Sequence, residues 1–143
     1  MSSKAIKFEI VTPERVVLSR DITQVTVPTT YGEITVLADH IPLVSILKPG
    51  VLEIKTAEGK MEIMAVSGGF LEVMRDKIVV LADTAERAEE LDEKRIEEAR
   101  ARAEEIKKDL SDIDEVQFAN ISAKLDKELA RLKALNKWRR LKG

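Results

Sequence analysis

Hydrophobic positions change their period near Thr84. Before it, apolar residues alternate with polar ones in short runs, as in strands half-buried against a core. After it they recur every three or four residues, as on one face of a helix. Ile6-Lys-Phe-Glu-Ile-Val11 alternates until Thr12-Pro13 interrupts it. Arg15-Val-Val-Leu18 and Ile22-Thr-Gln-Val-Thr-Val27 follow as two further strands, the second ending at Pro28. Glu33-Ile-Thr-Val-Leu37 comes after the turn signal Tyr31-Gly32. Val51–Lys55 and Met61–Val66 flank Ala57-Glu-Gly-Lys60, and Phe70–Met74 and Ile78–Ala82 flank Arg75-Asp-Lys77, which gives two hairpins. Strands of about five residues at intervals of about 8 to 12 predict an antiparallel β-sandwich or flattened barrel over residues 1–84.

From residue 85 to 143 the spacing predicts two helices, so the fold class is α+β: a β head followed by an antiparallel helical hairpin. Ile96, Ala99, Ala103, Ile106 and Leu110 form a narrow, Ala-rich stripe. Phe118, Ile121, Leu125, Leu129, Leu132 and Leu135 form a wider one. Between them Lys108–Asp114 is rich in capping and turn residues, and Asp112 with Glu115 fits a capping box for the second helix. The first helix has two candidate starts. One is Asp83 with Glu86; the other is Asp92, which leaves residues 85–91 as a linker. An Ala-rich seam buries little, since each methylene is worth about 0.8 kcal/mol. The hairpin is therefore either a static element packed on the head or a marginal one that opens onto a partner.

Punctuation supports the same division. All four prolines and five of the six glycines precede Leu71, and residues 85–142 contain neither. The tail carries 15 acidic and 15 basic residues, so the net charge of −2 belongs to the head. Balanced charge argues against a general nucleic-acid binder. The absence of cysteine removes disulfides and thiolate metal sites. No stretch reaches the roughly 20 apolar residues of a membrane-spanning helix. The expectation is a cytosolic protein, or one held at a membrane through a partner.

Catalytic signals are poor. His40 is the only histidine, and Asp39 is its chain neighbour, a relation that usually points two side chains apart. Ser67-Gly-Gly69 lacks the flanking glycine and strand-to-helix context of a nucleophile elbow, and reads better as a close backbone approach. No phosphate-binding glycine loop and no metal-ligand spacing occur. The last stretch, Arg131–Lys142, holds six basic residues and no acidic one, which suits either a solvated helix end or docking on an acidic surface.

Several stretches together resemble the ε subunit of bacterial F-type ATP synthases over nearly the whole chain. They are Phe8-Glu-Ile-Val-Thr-Pro13, Gly32-Glu-Ile-Thr-Val-Leu-Ala-Asp-His-Ile-Pro-Leu43, Leu47-Lys-Pro-Gly-Val-Leu52, Val66-Ser-Gly-Gly-Phe-Leu-Glu-Val73 and Val80-Leu-Ala-Asp-Thr-Ala-Glu86. The resemblance implies a rotor component with no catalytic residues. Its head would bind the γ subunit and the c-ring at the foot of the central stalk, on the cytoplasmic face of the cell membrane. Tyr31, Gly32 and Glu33 would face the ring, and His40, Ile41 and Pro42 would lie near the γ and ring interface. The hairpin would regulate, permitting turnover when compact and hindering hydrolysis when extended. Arg131, Lys133, Lys137, Arg139 and Arg140 would then meet acidic surfaces of the catalytic α/β subunits.

The resemblance also implies a regulatory ATP between head and hairpin, though no cofactor is required. The matching motif is Leu91-Asp-Glu-Lys-Arg-Ile96, with Leu91, Asp92 and Arg95 in place, Arg102 and Arg131 as phosphate cations, and Lys127 where some members have Arg. Ile96 stands where the family has a small Ala, which implies weak binding. A free-standing β-sandwich adaptor that presents a coiled-coil hairpin to another protein remains the alternative.

Overall fold

The structure, a computed structural model, describes residues 4–110 and 115–143. Of the turn expected over Lys108–Asp114, the first three residues belong to the last turn of the first helix, while residues 111–114 with the Asp112 cap, and the Leu110 side chain, lie outside the described residues. The head contains β1 (Ile6–Val11), β2 (Val16–Thr29), β3 (Gly32–Leu37), β4 (Leu43–Leu47), β5 (Gly50–Thr56), β6 (Met61–Val66), β7 (Gly69–Val73), β8 (Lys77–Ala82) and β9 (Ala85–Arg87). A single 3-10 turn, Ala88–Glu90, leads to α1 (Glu93–Leu110) and α2 (Glu115–Lys142).

The alternation seen in β1 sends Ile6, Phe8 and Ile10 inward and leaves Lys7 and Glu9 outside. The strands pair in the order β1-β8-β7-β4-β2-β5-β6-β9, with β3 on β2 and a further β1–β2 pairing. The first half of β2 pairs β1 and the second half pairs β3 and β5, so one strand closes two layers over a common core. Phe8, Ile10, Ile22, Leu52, Ile54, Met64, Leu71 and Ile78 are fully buried in that core. At about 1.5–3 kcal/mol for each large apolar side chain, this burial makes the head a firm unit.

Four details depart from the sequence reading. Two separate strands were expected over Arg15–Val27; they are one 14-residue strand, β2, which bends at a register shift between Ile22 and Gln24. β2 does not stop at Pro28, because that residue needs no N–H at the hairpin end and its carbonyl accepts the Lys48 N–H at 3.0 Å. β1 and β8 run parallel within an otherwise antiparallel sheet. β4 and β9 form strands where none was expected, β9 lying past Thr84 and pairing β6.

The hairpin is compact. α2 crosses the outer face of β5 and β6, where Val51, Ile63 and Ala65 meet Ala88 and Ala134, with Leu91 and Trp138 at the edge. α1 packs on α2 through Ala103, Ile121 and Leu125. Of the two candidate starts for α1, Asp92 is the cap: its Oδ1 accepts the Lys94 N–H at 3.1 Å, and its carbonyl accepts the Ile96 N–H at 3.1 Å. Ile106 and Leu129, both expected in the apolar seams, are exposed. α2 serves two partners at once, so its buried arc takes in Ala130 and Ala134 in place of Leu129.

Candidate functional site

The five residues named for a nucleotide line one cleft of about 370 Å³ between β9, the 3-10 turn and the two helices. Leu91, Asp92, Arg95, Arg102 and Arg131 are joined there by Glu86, Glu90, Ile96, Glu98, Ala99 and Glu128. Five carboxylates thus face three guanidinium groups. Arg131 is already committed, donating from Nε to Glu86 Oε1 at 2.7 Å and from its terminal nitrogen to Glu128 Oε1 at 2.6 Å. Burial works against the Arg131 charge, but the hydrogen bonds and charges of Glu86 and Glu128 together outweigh it and hold the guanidinium above its ordinary pKa. Asp92 is committed as the α1 cap. The cleft in this compact form is a poor fit for a polyphosphate: its net charge is negative and its best-placed cation is paired with two carboxylates.

The two loops named as interfaces lie at opposite ends of β3, about 17 Å apart at roughly 3.3 Å per residue. At one end Tyr31 is 97% exposed, and Glu33 is exposed beside it. The Thr29 hydroxyl fixes this turn by donating to the Gly32 carbonyl and accepting the Tyr31 N–H, while Gly32 takes φ +116. At the other end Ile41 and Pro42 are exposed and His40 is half-buried. His40 Nδ1 lies 2.8 Å from the Ile41 carbonyl, and Asp39 pairs Lys4 at 3.1 Å, so no Asp39–His40 dyad forms.

The basic end of α2 folds back on the protein. Lys137 pairs Glu53 on β5, and Arg139 pairs Glu93 on α1 at 2.8 Å. Lys133 and Arg140 make no ion pair among the described residues. Lys133 instead lines a cleft of about 520 Å³ with Glu33, Lys48, Pro49 and Leu129, which brings the basic end beside the Tyr31–Glu33 turn.

One feature was missed by sequence reasoning. Ile46, Phe70, Leu81, Val11 and Val16 are successive cross-strand partners on β4, β7, β8, β1 and β2, so they form one row on the outer face. Five strands at about 4.8 Å make this row about 19 Å long. Phe70 is 51% exposed, and Val44 beside the row is 69% exposed. The signal was present in Ile78-Val-Val-Leu81, whose two faces are both apolar although only one can reach the core. Contiguous exposed apolar surface of this kind makes the row a candidate docking face. Among the described residues no group of three or more His, Asp or Glu is placed to hold a metal ion, and no helix is long and apolar enough to cross a membrane.

The family described as ATP synthase, Delta/Epsilon chain, beta-sandwich domain matches residues 5–88. The ATP synthase epsilon chain of Desulforamulus reducens is 46% identical over 133 residues, which cover 92% of this chain and 98% of that one. That of Chloroflexus aggregans is 45% identical over 128 residues, 90% of each. Among solved structures, a chain of the Euglena gracilis mitochondrial ATP synthase, OSCP/F1/c-ring in rotational state 1, superposes with a TM-score of 0.80 at 26% identity, covering 92% of this chain and 81% of that one. A chain from the central stalk and c-ring of the Tetrahymena thermophila mitochondrial ATP synthase shares the fold, with a TM-score of 0.53 at 16% identity, covering 63% of this chain and 72% of that one.

Proposed function

The chain belongs to the family of ATP synthase epsilon chains, non-catalytic subunits of the central stalk, and on that premise we propose how its surfaces divide the work. The apolar row from Ile46 to Val16 docks on the γ subunit. The Tyr31–Glu33 turn meets the polar loops of the c-ring, and the His40–Pro42 loop lies where γ and ring adjoin. Two contact regions at opposite ends of β3 allow one rigid head to join two partners and pass torque between them. The complex then stands at the cytoplasmic face of the membrane and couples proton flow to ATP synthesis.

The observation that carries this reading is the exposed row itself, because it lies on the layer away from the hairpin and nothing among the described residues covers it. Replacing Phe70 and Ile46 with Asp tests it. Full burial of a large apolar side chain is worth about 1.5–3 kcal/mol. Phe70 and Ile46 are each about half exposed, so docking gains about 1.5–3 kcal/mol from the two together, and their loss should weaken γ binding about 10- to 150-fold. The readout is co-purification of γ with the variant, alongside a circular dichroism melt of the free head. Unchanged γ binding by a folded variant refutes the docking face.

The hairpin supplies regulation in this reading. Docked on β5 and β6 it is clear of the catalytic hexamer; extended along γ it brings the basic end of α2 to the α/β subunits and hinders hydrolysis. The mostly methyl-sized contacts at Ala88, Ala134 and Ala65 make the docked state weak enough for a partner to compete with it. Any ATP in the Leu91–Arg131 cleft binds weakly, and the hairpin responds chiefly to protein contacts.

A further inference from the structure

Three cations on α2 are each held by a carboxylate from a different element outside that helix. Arg131 holds Glu86 on β9, Lys137 holds Glu53 on β5, and Arg139 holds Glu93 on α1. From Arg131 to Arg139 the helix rises about 12 Å at 1.5 Å per residue, so the three glutamates form an acidic track along its basic end. Glu53 is the most enclosed of them, its side chain 17% exposed beside Val51 under the helix, where an unpaired charge is costly. The tail is electrically neutral as a whole, and three of the six cations at its basic end pair with carboxylates elsewhere in the chain.

We propose that Glu53, Glu86 and Glu93 are an internal stand-in for an acidic protein partner: they occupy the α2 cations in the compact state, and an external acidic surface gains those cations only by displacing them. A cation cannot pair inside and outside at once, so each internal pair raises the threshold for release. The proposal rests on the reading that the hairpin leaves the head, and it adds the residues that set how readily it does so. Arg131 keeps Glu128 as a partner on its own helix whichever way the hairpin lies, so Glu86 and not Glu128 is the carboxylate that reports docking. Linkage then requires that weakening the internal pairs strengthen binding of an acidic ligand by the same factor.

The test uses the full chain with Glu53→Gln and Glu86→Gln, singly and together. Since the protein has no cysteine of its own, dyes go on cysteines introduced at Glu58 and Lys142 to report hairpin opening by energy transfer. A polyglutamate peptide serves as the acidic probe. Each substitution should raise the open-to-docked ratio about two- to fivefold, and the pair about tenfold, with polyglutamate affinity rising in parallel. High salt should narrow the difference between variant and parent. A folded double variant whose energy transfer and polyglutamate affinity match the parent overturns the proposal. Reconstituted ATP synthase separates the two readings: with the double variant, hydrolysis should fall. A hairpin that loosens while hydrolysis stays unchanged upholds the internal stand-in and overturns the regulatory role.

Discussion

Enlarging Ala134 should release the hairpin without disturbing the head. Its side chain is fully buried between α2 and the sheet, against Val51, Ile63, Ala65 and Ala88. Leu at this position adds three carbons to a contact with no exposed volume to take them. Overpacking of this kind costs about 1–3 kcal/mol when neighbours cannot move. Here the strain has an outlet: α2 can lift, because Ala134 touches none of the large side chains of the sandwich core. Ala and Leu are close in helix propensity, so α2 itself is not weakened. The whole penalty therefore falls on docking and lowers the docked-to-undocked ratio about 5- to 150-fold. Trp138, the only tryptophan, is half-buried in the same patch and reports the change. Ala134→Leu should shift its emission to the red at 25 °C, with the melting of the β head unchanged. Unshifted emission together with an unchanged melt would show that the patch has slack, and that the small side chain does not seat the helix.

Two further expectations concern the turn after β6 and the nucleotide cleft. Gly69 adopts φ +127, and a Cβ there would stand 1.9 Å from the Leu81 carbonyl oxygen, so Gly69→Ala must move backbone at the β7–β8 pairing; it should cost at least about 2 kcal/mol in urea unfolding, and an unchanged midpoint would refute the close approach. Calorimetric titration of the free protein with ATP and magnesium should show no binding tighter than about millimolar, roughly 4 kcal/mol, given the negative cleft and the engaged Arg131; micromolar binding that is lost in Arg95→Ala would refute that charge argument.

The sequence made the head legible because its side chains have to commit to one face. Phe8 and Ile10 alternate with Glu9 and Lys7, and a register slip would bury the charges. β4 escaped notice because Leu43–Leu47 buries mainly Leu47 and turns Val44 and Ile46 outward, so its apolar residues do not sort onto one core face. β9 has no strand signal in Ala85-Glu-Arg87; the free edge of β6 dictates it. In the cleft, the motif at Leu91–Ile96 said nothing of Glu86 and Glu128, which line it as well. Those two carboxylates lie 45 and 3 residues from Arg131 in the chain, and only folding reveals that they share its guanidinium. Helical periodicity also misplaced Leu129, because it assumes one buried face. A helix wedged between a sheet and another helix has two, and one of them is written in alanine, which carries almost no hydrophobic signal.

That use of alanine separates the two halves of the molecule mechanically. The head is sealed by large aliphatic and aromatic side chains whose exposure would cost many kcal/mol, so it moves as a block. The hairpin is seated by the methyl groups of Ala88 and Ala134 on Val51, Ile63 and Ala65, with Leu91 and Trp138 only partly buried. It is also seated by ion pairs, of which the exposed Arg139–Glu93 pair amounts to about 1 kcal/mol or less. Contacts of the first kind suit a joint that transmits force, because no single perturbation opens it. Contacts of the second kind suit an element that must change partners, because a modest competing surface can match them one pair at a time. A sheet face and helix re-fitted together around large, well-packed side chains would instead deepen the docked state by about 1.5–3 kcal/mol per residue, more than one displaced surface ion pair could return.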